Sequence, residues 1–526
     1  MRTMKFNAAA ISAKWHQAGP AISVILVGVL IGAGCAWMFD AFSERLVLAV
    51  PLILLGGAAL FIFMRRIKLF VFLIVLYAPL ELFVQKWLPG DIGSASRYMT
   101  EVFLLLIFMA LVVDRLLSHK PWKRTPLDIP LFIFIGIGIL SSLINQVPFL
   151  AVILGFRILL RYVLLFYIVV HIDFDYVSAR RLLIALFCVA AVVVGIGLIQ
   201  ALIGPPMTEI LRIPEIKIGE HVVRSIPGYF MGAHGRYIFS TVGRYDMLGM
   251  YCVVILLLSM ALYIYYPRRR IMLGWLIALT GICLVLTFSR QSWLALYAAL
   301  WTWFLVSSKK KWAVGLFFAL LMGPMILFIA IYFSSDIVRF YKGDEGIHIS
   351  ALARLAEVFS SEYRGISAHY AGRLFVLSFV GARILELVPF LGFGPGTIGT
   401  PSAAFFGFSN AELLGMVESQ VFLVSDVNWI TILGQYGLIG TAAFLIMFAA
   451  LFRYARRMYK RPSDPLTKSV ALACQGSIVA LLVLGFFGPN FEQRVISMYV
   501  WLIAGLTVAL SHTGKRIASK RKIATI

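Results

Sequence analysis

The chain has 526 residues, is 61% hydrophobic and has a mean hydropathy of +0.92, which excludes an assembly of soluble domains. Its formal charge of +23 would suggest nucleic acid in a soluble chain. The Lys and Arg residues instead fall in short clusters between apolar runs, as the positive-inside rule predicts, and no stripe interleaving basic and aromatic residues lies outside those runs.

Apolar runs occur at 19–38, 46–64, 69–84, 100–117, 127–145, 152–171, 181–203, 245–266, 271–289, 291–306, 312–334, 428–452, 469–488 and 496–511. The expected fold is therefore an all-α polytopic membrane protein with about fourteen transmembrane helices. Arg2, Lys5 and Lys14 precede the first run without a small-residue cleavage site and a soluble domain behind it, so that run reads as a retained helix. Cys35, Cys188, Cys252, Cys283 and Cys474 all lie inside apolar runs and read as small packing residues.

The basic connectors Arg65 to Lys68, Arg115 to Arg124, Arg180-Arg181, Arg268 to Arg270, Lys309 to Lys311, Arg453 to Lys468 and Lys515 to Lys522 fall on one side if the helices alternate. That side is expected to be cytoplasmic and to hold both termini. The opposite side receives 39–45, 85–99, 146–151, 204–244, the bend at Ser289-Arg290, 335–427 and 489–495. Three regions follow: helices in 1–334, an extracytoplasmic loop at 335–427, and the last helices with a basic tail in 428–526. The loop is expected to hold an amphipathic helix, 371–387, and a glycine-rich turn, Gly392 to Gly399.

Several arginines resist a purely topological account. Arg157 and Arg161 lie four apart, on one face of a helix, and Arg161 sits about two turns into its apolar segment. An ionised side chain there is expensive unless paired, hydrated or near the interface. Arg236 and Arg244 belong to the outer connector, Arg290 to the outer bend and Arg373 to the start of the loop helix. Each has a bland alternative, a nearby acid such as Asp246 or a lipid headgroup. Together they suit phosphate oxygens, which a guanidinium fork can grip in pairs.

The turn Gly392-Phe-Gly-Pro-Gly-Thr-Ile-Gly399 lacks the Lys-Ser/Thr of an ATP-binding loop. It reads as a tight turn, either a turn only or one with N–H groups, at Gly394 and Gly396, facing an anion. His348 and His369 are far apart and build no metal motif, so no metal and no cofactor are expected. Asp426 stands where the long loop returns to the membrane. It can serve as general base, arginine partner or helix N-cap.

The segments Leu286-Thr-Phe-Ser-Arg-Gln-Ser-Trp293, Gly372-Arg373, Leu387-Val-Pro-Phe-Leu-Gly-Phe-Gly-Pro-Gly396 and Asp426-Val-Asn-Trp-Ile-Thr-Ile-Leu-Gly-Gln-Tyr-Gly-Leu-Ile-Gly440 resemble motifs of the O-antigen polymerase and O-antigen ligase superfamily. The resemblance covers about 240–445. It implies an enzyme of the bacterial cytoplasmic (inner) membrane, acting on its extracytoplasmic side on undecaprenyl-pyrophosphate-linked glycans. It also implies work beside a flippase and a chain-length regulator of the same pathway. Polymerases of the superfamily join repeat units, and ligases pass the glycan to another acceptor such as lipid A core. Ligases carry His-Asn where this chain has Asp426-Val427, which favours a polymerase of capsule, exopolysaccharide or another surface polymer. The family's glutamate before Gly-Leu-Ile-Gly is Gln435 here.

The resemblance implies glycosyl transfer in which an acceptor hydroxyl attacks the anomeric carbon of the lipid-linked donor. Arg161, Arg290 and Arg373 would stabilise the departing pyrophosphate, Arg157, Arg236 and Arg244 would bind lipid phosphates, and Asp426 would take the hydroxyl proton. A lipid-linked glycan transporter is the competing class, but the pseudo-repeated halves common in transporters are absent from the sequence.

Overall fold

The computed structural model describes residues 65–88, 98–172, 174–213, 237–306, 372–399, 424–461 and 464–524, with short pieces at 62, 96, 216–218, 221–223, 403 and 413–416. Helices α1 (Ile67–Tyr77) and α2 (Glu81–Lys86) run on through a single 3-10 turn at Ala78–Leu80. They are followed by α3 (Met99–Leu117), α4 (Asp128–Ile144), α5 (Phe149–Leu160), α6 (Val163–His171), α7 (Tyr176–Ile203) and α8 (Pro205–Leu211). An antiparallel hairpin, β1 (Ile216–Ile218) and β2 (His221–Val223), precedes α9 (Tyr245–Tyr265), α10 (Arg270–Leu286) and α11 (Arg290–Val306). The loop helix comprises α12 (Arg373–Phe375), a π-helical turn at Val376–Val380 and α13 (Gly381–Leu387). The chain closes with α14 (Asn428–Lys460), α15 (Pro465–Leu484) and α16 (Arg494–Ala524).

Local chemistry sets several of these boundaries. Asp175 caps α7 by accepting the Ser178 N–H at 3.1 Å, and Asp464 caps α15 by accepting that of Thr467 at 2.9 Å. Burial then sorts the helices. In α16, 94% of the apolar stretch is buried, and in α9 and α15 78%, so these three form the centre. Only 22% is buried in the span ending at Leu286, which lies outside them. Small residues permit the close contacts: a Cβ on Gly476 would stand 2.6 Å from Trp303 Nε1. The outer surface is apolar, with Phe132, Leu202 and Ile271 each more than three-quarters exposed, a surface suited to lipid.

The structure corrects the helix count. Among the described residues seven helices are long and apolar enough to cross a membrane, or eight if the bent pair α5–α6 is one span, not about fourteen. Helices α4 and α11 have 17 residues each, about 26 Å of rise against a hydrocarbon core of about 30 Å. Helix α3 carries Glu101, Asp114 and Arg115 within its length. Helices α5 and α6 meet at 59°. The expected runs 19–38 and 312–334, and nearly all of 46–64, lie outside the described residues. With the count changed, the alternation that put both termini in the cytoplasm loses its basis.

Candidate functional site

A buried charged cluster joins α2, α3, the α5–α6 bend and the α15–α16 connector. Glu101, in the first turn of α3, holds two arginines at once. Its Oε2 accepts from Arg157 Nε at 2.6 Å and lies 2.5 Å from Arg157 Nη2, while its Oε1 accepts from Arg161 Nη1. The spacing of four turns both guanidinium groups to one face, where a single carboxylate reaches them. Arg161 stands at the C-cap of α5, at the bend, and its side chain is 14% exposed. Its Nη2 donates to the Glu492 carbonyl. Arg494, opening α16, pairs with the buried Glu81 of α2. The membrane cost of Arg161 is therefore met by an acid and a carbonyl supplied by distant parts of the chain.

Glu492 joins this cluster to the segment that leads into α14. Asn428 Nδ2 donates to Glu492 Oε1 at 3.3 Å, and Asn428 Oδ1 accepts from the Phe491 N–H at 2.8 Å. Burial pushes the Glu492 carboxyl up to about 7, with Arg161 and the Asn428 amide pulling the other way.

Two residues before Asn428, Asp426 sits in a 3-10 turn and lies within the electrostatic reach of Arg244. It is not the N-cap of α14: Val427 occupies that position, and no side chain caps the helix. Arg244 forks onto Asp246, with Nε and Nη2 at 3.1 and 3.0 Å from the two carboxylate oxygens. The Asp246 charge, and more weakly Asp426, hold the guanidinium pKa above its ordinary value against the opposing effect of burial.

Arg290 begins α11 directly after the α10–α11 bend, where Phe288 adopts a left-handed φ of 55°. The bend packs against α9 one turn in from Arg244: a Cβ on Gly249 would meet Ser292 Oγ at 2.6 Å and Ser289 Cβ at 2.8 Å. Arg244 and Arg290 thus lie at the same end of two touching helices. Arg373 opens α12, half-buried, two residues before Phe375. Phe375 packs in one apolar cluster with Val424 and Val427, which flank Asp426.

The glycine-rich turn has a structural task. Gly394 N–H donates to the Gln435 carbonyl at 3.0 Å, and Gly396 N–H to Gln435 Oε1 at 3.0 Å. Gln435 Nε2 donates in turn to the Ile398 carbonyl at 2.6 Å. The amides expected to face an anion are bonded to Gln435, whose role the sequence left open. The turn also lies on α5, where a Cβ on Gly155 would stand 2.4 Å from Gly396 N, just over half a helical turn from Arg157. Its position therefore fixes the arginine helix.

Of the residues expected from sequence, Arg157 and Arg161 share one acid, Arg244 and Asp426 share an electrostatic contact, and Arg290 and Arg373 flank that region. Arg236, His348 and His369 lie outside the described residues. Among the described residues no three His, Cys, Asp or Glu side chains group as a metal site. Sequence reasoning missed Glu101, Glu492 and Asn428 because their partners lie 56 to 331 residues away in the chain. Acids at the ends of apolar runs, beside the same connectors as the arginines, were the available signal.

Residues 275–445 match the family described as O-antigen ligase. Over that stretch the chain is similar to the O-antigen ligase/polymerase superfamily. The O-antigen ligase region contains the α10–α11 bend, Arg373, the glycine-rich turn, Asp426 and the first part of α14. Arg157, Arg161, Arg244 and Glu492 come from outside it, and the fold brings them to its margin. No curated protein sequence matches the chain. The superfamily match, together with the apolar helices, gives a multi-pass membrane protein.

Proposed function

We propose that this protein transfers a glycan from a lipid-pyrophosphate donor to the hydroxyl of an acceptor, in the manner of an O-antigen ligase. The observation that carries this reading is the convergence of Arg161 and Asn428 on Glu492, at the edge of the O-antigen ligase region. It joins a phosphate-binding residue type to the segment bearing Asp426.

The acceptor oxygen attacks the anomeric carbon, the bond from that carbon to the pyrophosphate oxygen breaks, and the hydroxyl proton passes to Asp426. Arg290 and Arg373 stabilise the charge that develops on the leaving pyrophosphate, and Arg157 and Arg161, oriented by Glu101, meet the lipid phosphates. Glu492 is a positioning residue. It holds Asn428, and thereby the Asp426 turn, in register with Arg161.

Asp426-Val427, standing where ligases carry His-Asn, supports polymerisation as a second reading. Purified protein incubated with an undecaprenyl-pyrophosphate oligosaccharide and a lipid acceptor separates the two. A single transfer to the acceptor is expected, a ladder of lengthened donor identifies a polymerase, and no transfer with any donor rejects both. Replacing Asp426 by Asn with unchanged turnover removes it as the base.

A further inference from the structure

A second cationic site lies away from the Arg161 cluster. Three separate stretches of helix carry the chain between them. Glu81, opening α2, is well removed from Lys68 near the start of α1, Glu101 and Arg115 lie at opposite ends of α3, and Arg161 and His171 at opposite ends of α6 and its bend. At about 1.5 Å per residue these intervals are roughly 15 to 21 Å. At the far end Arg65, Arg66, Lys68, Arg115, Lys120 and His171 line a cavity of about 430 Å³. That volume accommodates a small ligand.

Cations outnumber acids among the residues that line this cavity. Five of its lining residues are Lys or Arg, and its one lining acid, Asp114, is 3.3 Å from Lys120. Lys68 has an exposed contact of 3.7 Å with Asp175. Arg115 is 5% exposed and directs its terminal nitrogens to the carbonyls of Pro121 and His171. Among the described residues no carboxylate pairs with Arg115, and its Nε has no hydrogen-bond partner. A buried guanidinium met only by carbonyls is costly, and an adjacent anion reduces that cost. A general enrichment of basic residues in connectors accounts for their presence, but not for their convergence on one cavity. Leu69, which lines it, is 51% exposed, and Leu116, next to Arg115, is 63% exposed. They set apolar surface beside the cations, the pattern that a headgroup and its acyl chain require.

We infer that this cavity is a phosphate-binding site, distinct from the proposed donor site, and that it takes the headgroup of an anionic phospholipid.

Native mass spectrometry of the detergent-purified full chain tests this with phosphatidylglycerol, phosphatidylcholine and inorganic phosphate as probes. One phosphatidylglycerol retained per chain, with phosphatidylcholine lost, is the expected result. The double reversal Arg66→Glu/Lys120→Glu should reduce retention about tenfold, because both side chains are exposed at the cavity. The reversal Arg268→Glu/Arg269→Glu removes the same charge from another exposed connector and should leave retention unchanged. Binding of inorganic phosphate without lipid, lost in the cavity variant alone, keeps the site and assigns it a soluble phosphate. Equal loss in both double variants, or no preference for phosphatidylglycerol over phosphatidylcholine, overturns the inference. If the cavity variant does not fold, Lys120→Gln serves instead, with a several-fold drop expected and unchanged retention counting against the site.

Discussion

At the scale of single residues, the arginines divide by their partners. Arg157 and Arg161 are oriented by Glu101, and Arg244 by Asp246. Arg290 is the sharpest test of bidentate phosphate contact. Arg290→Lys keeps the charge and removes the fork, and turnover of purified protein should fall at least tenfold. Glu492 provides a different kind of test. Its carboxyl is raised from 4.5 to about 7, so the folded protein holds a proton that the unfolded chain has released between those values. The stability from this group is complete below pH 4.5 and is lost as pH rises through about 7. Thermal melts should show this decline in the wild type and its absence in Glu492→Gln. The same variant should lower turnover and remove an ionisation near pH 7 from the rate profile, which an inert structural residue would not do.

At the scale of elements, the turn and α14 are built for each other. Gly437 adopts φ 63° and ψ −169° inside α14, breaking it into two helices. The freed N–H groups of Leu438 and Ile439 donate to the carbonyls of Pro389 and Phe390 at 2.8 and 3.2 Å. A Cβ on Gly437 would stand 2.2 Å from Phe390 O. Gly437→Ala should cost about 2 kcal/mol or more, seen as a lower unfolding temperature in detergent, with looser packing of the turn on α5. Gln435→Leu leaves the Gly396 N–H without its side-chain acceptor and should cost about 1–3 kcal/mol in the same measurement. The sequence showed the glycines and suggested a turn. It did not show that their N–H groups serve Gln435, because that bond spans 39 residues of chain.

At the scale of the whole molecule, Glu101 ties α3 to the α5–α6 bend, and Arg161 carries the connection on to the α15–α16 connector. Glu101→Gln leaves two guanidinium groups without their carboxylate. It should destabilise the protein by about 3 kcal/mol, a loss that Arg157→Gln alone should not reproduce. Comparing the two unfolding temperatures checks this. The chain taken alone determined that the protein is helical and apolar, where most helices begin and end, and which short motifs resemble the superfamily. Those are local properties, set by hydropathy, caps and residue spacing. Tertiary structure decided that, among the described residues, the apolar runs make seven or eight spans, since the α5–α6 bend and the true length of each helix appear only in the folded chain. It also decided which acids meet Arg157 and Arg161, that Asp426 is not a cap, and that basic connectors surround a cavity. Pairing across hundreds of residues depends on how helices stack, and that leaves no periodic trace in sequence.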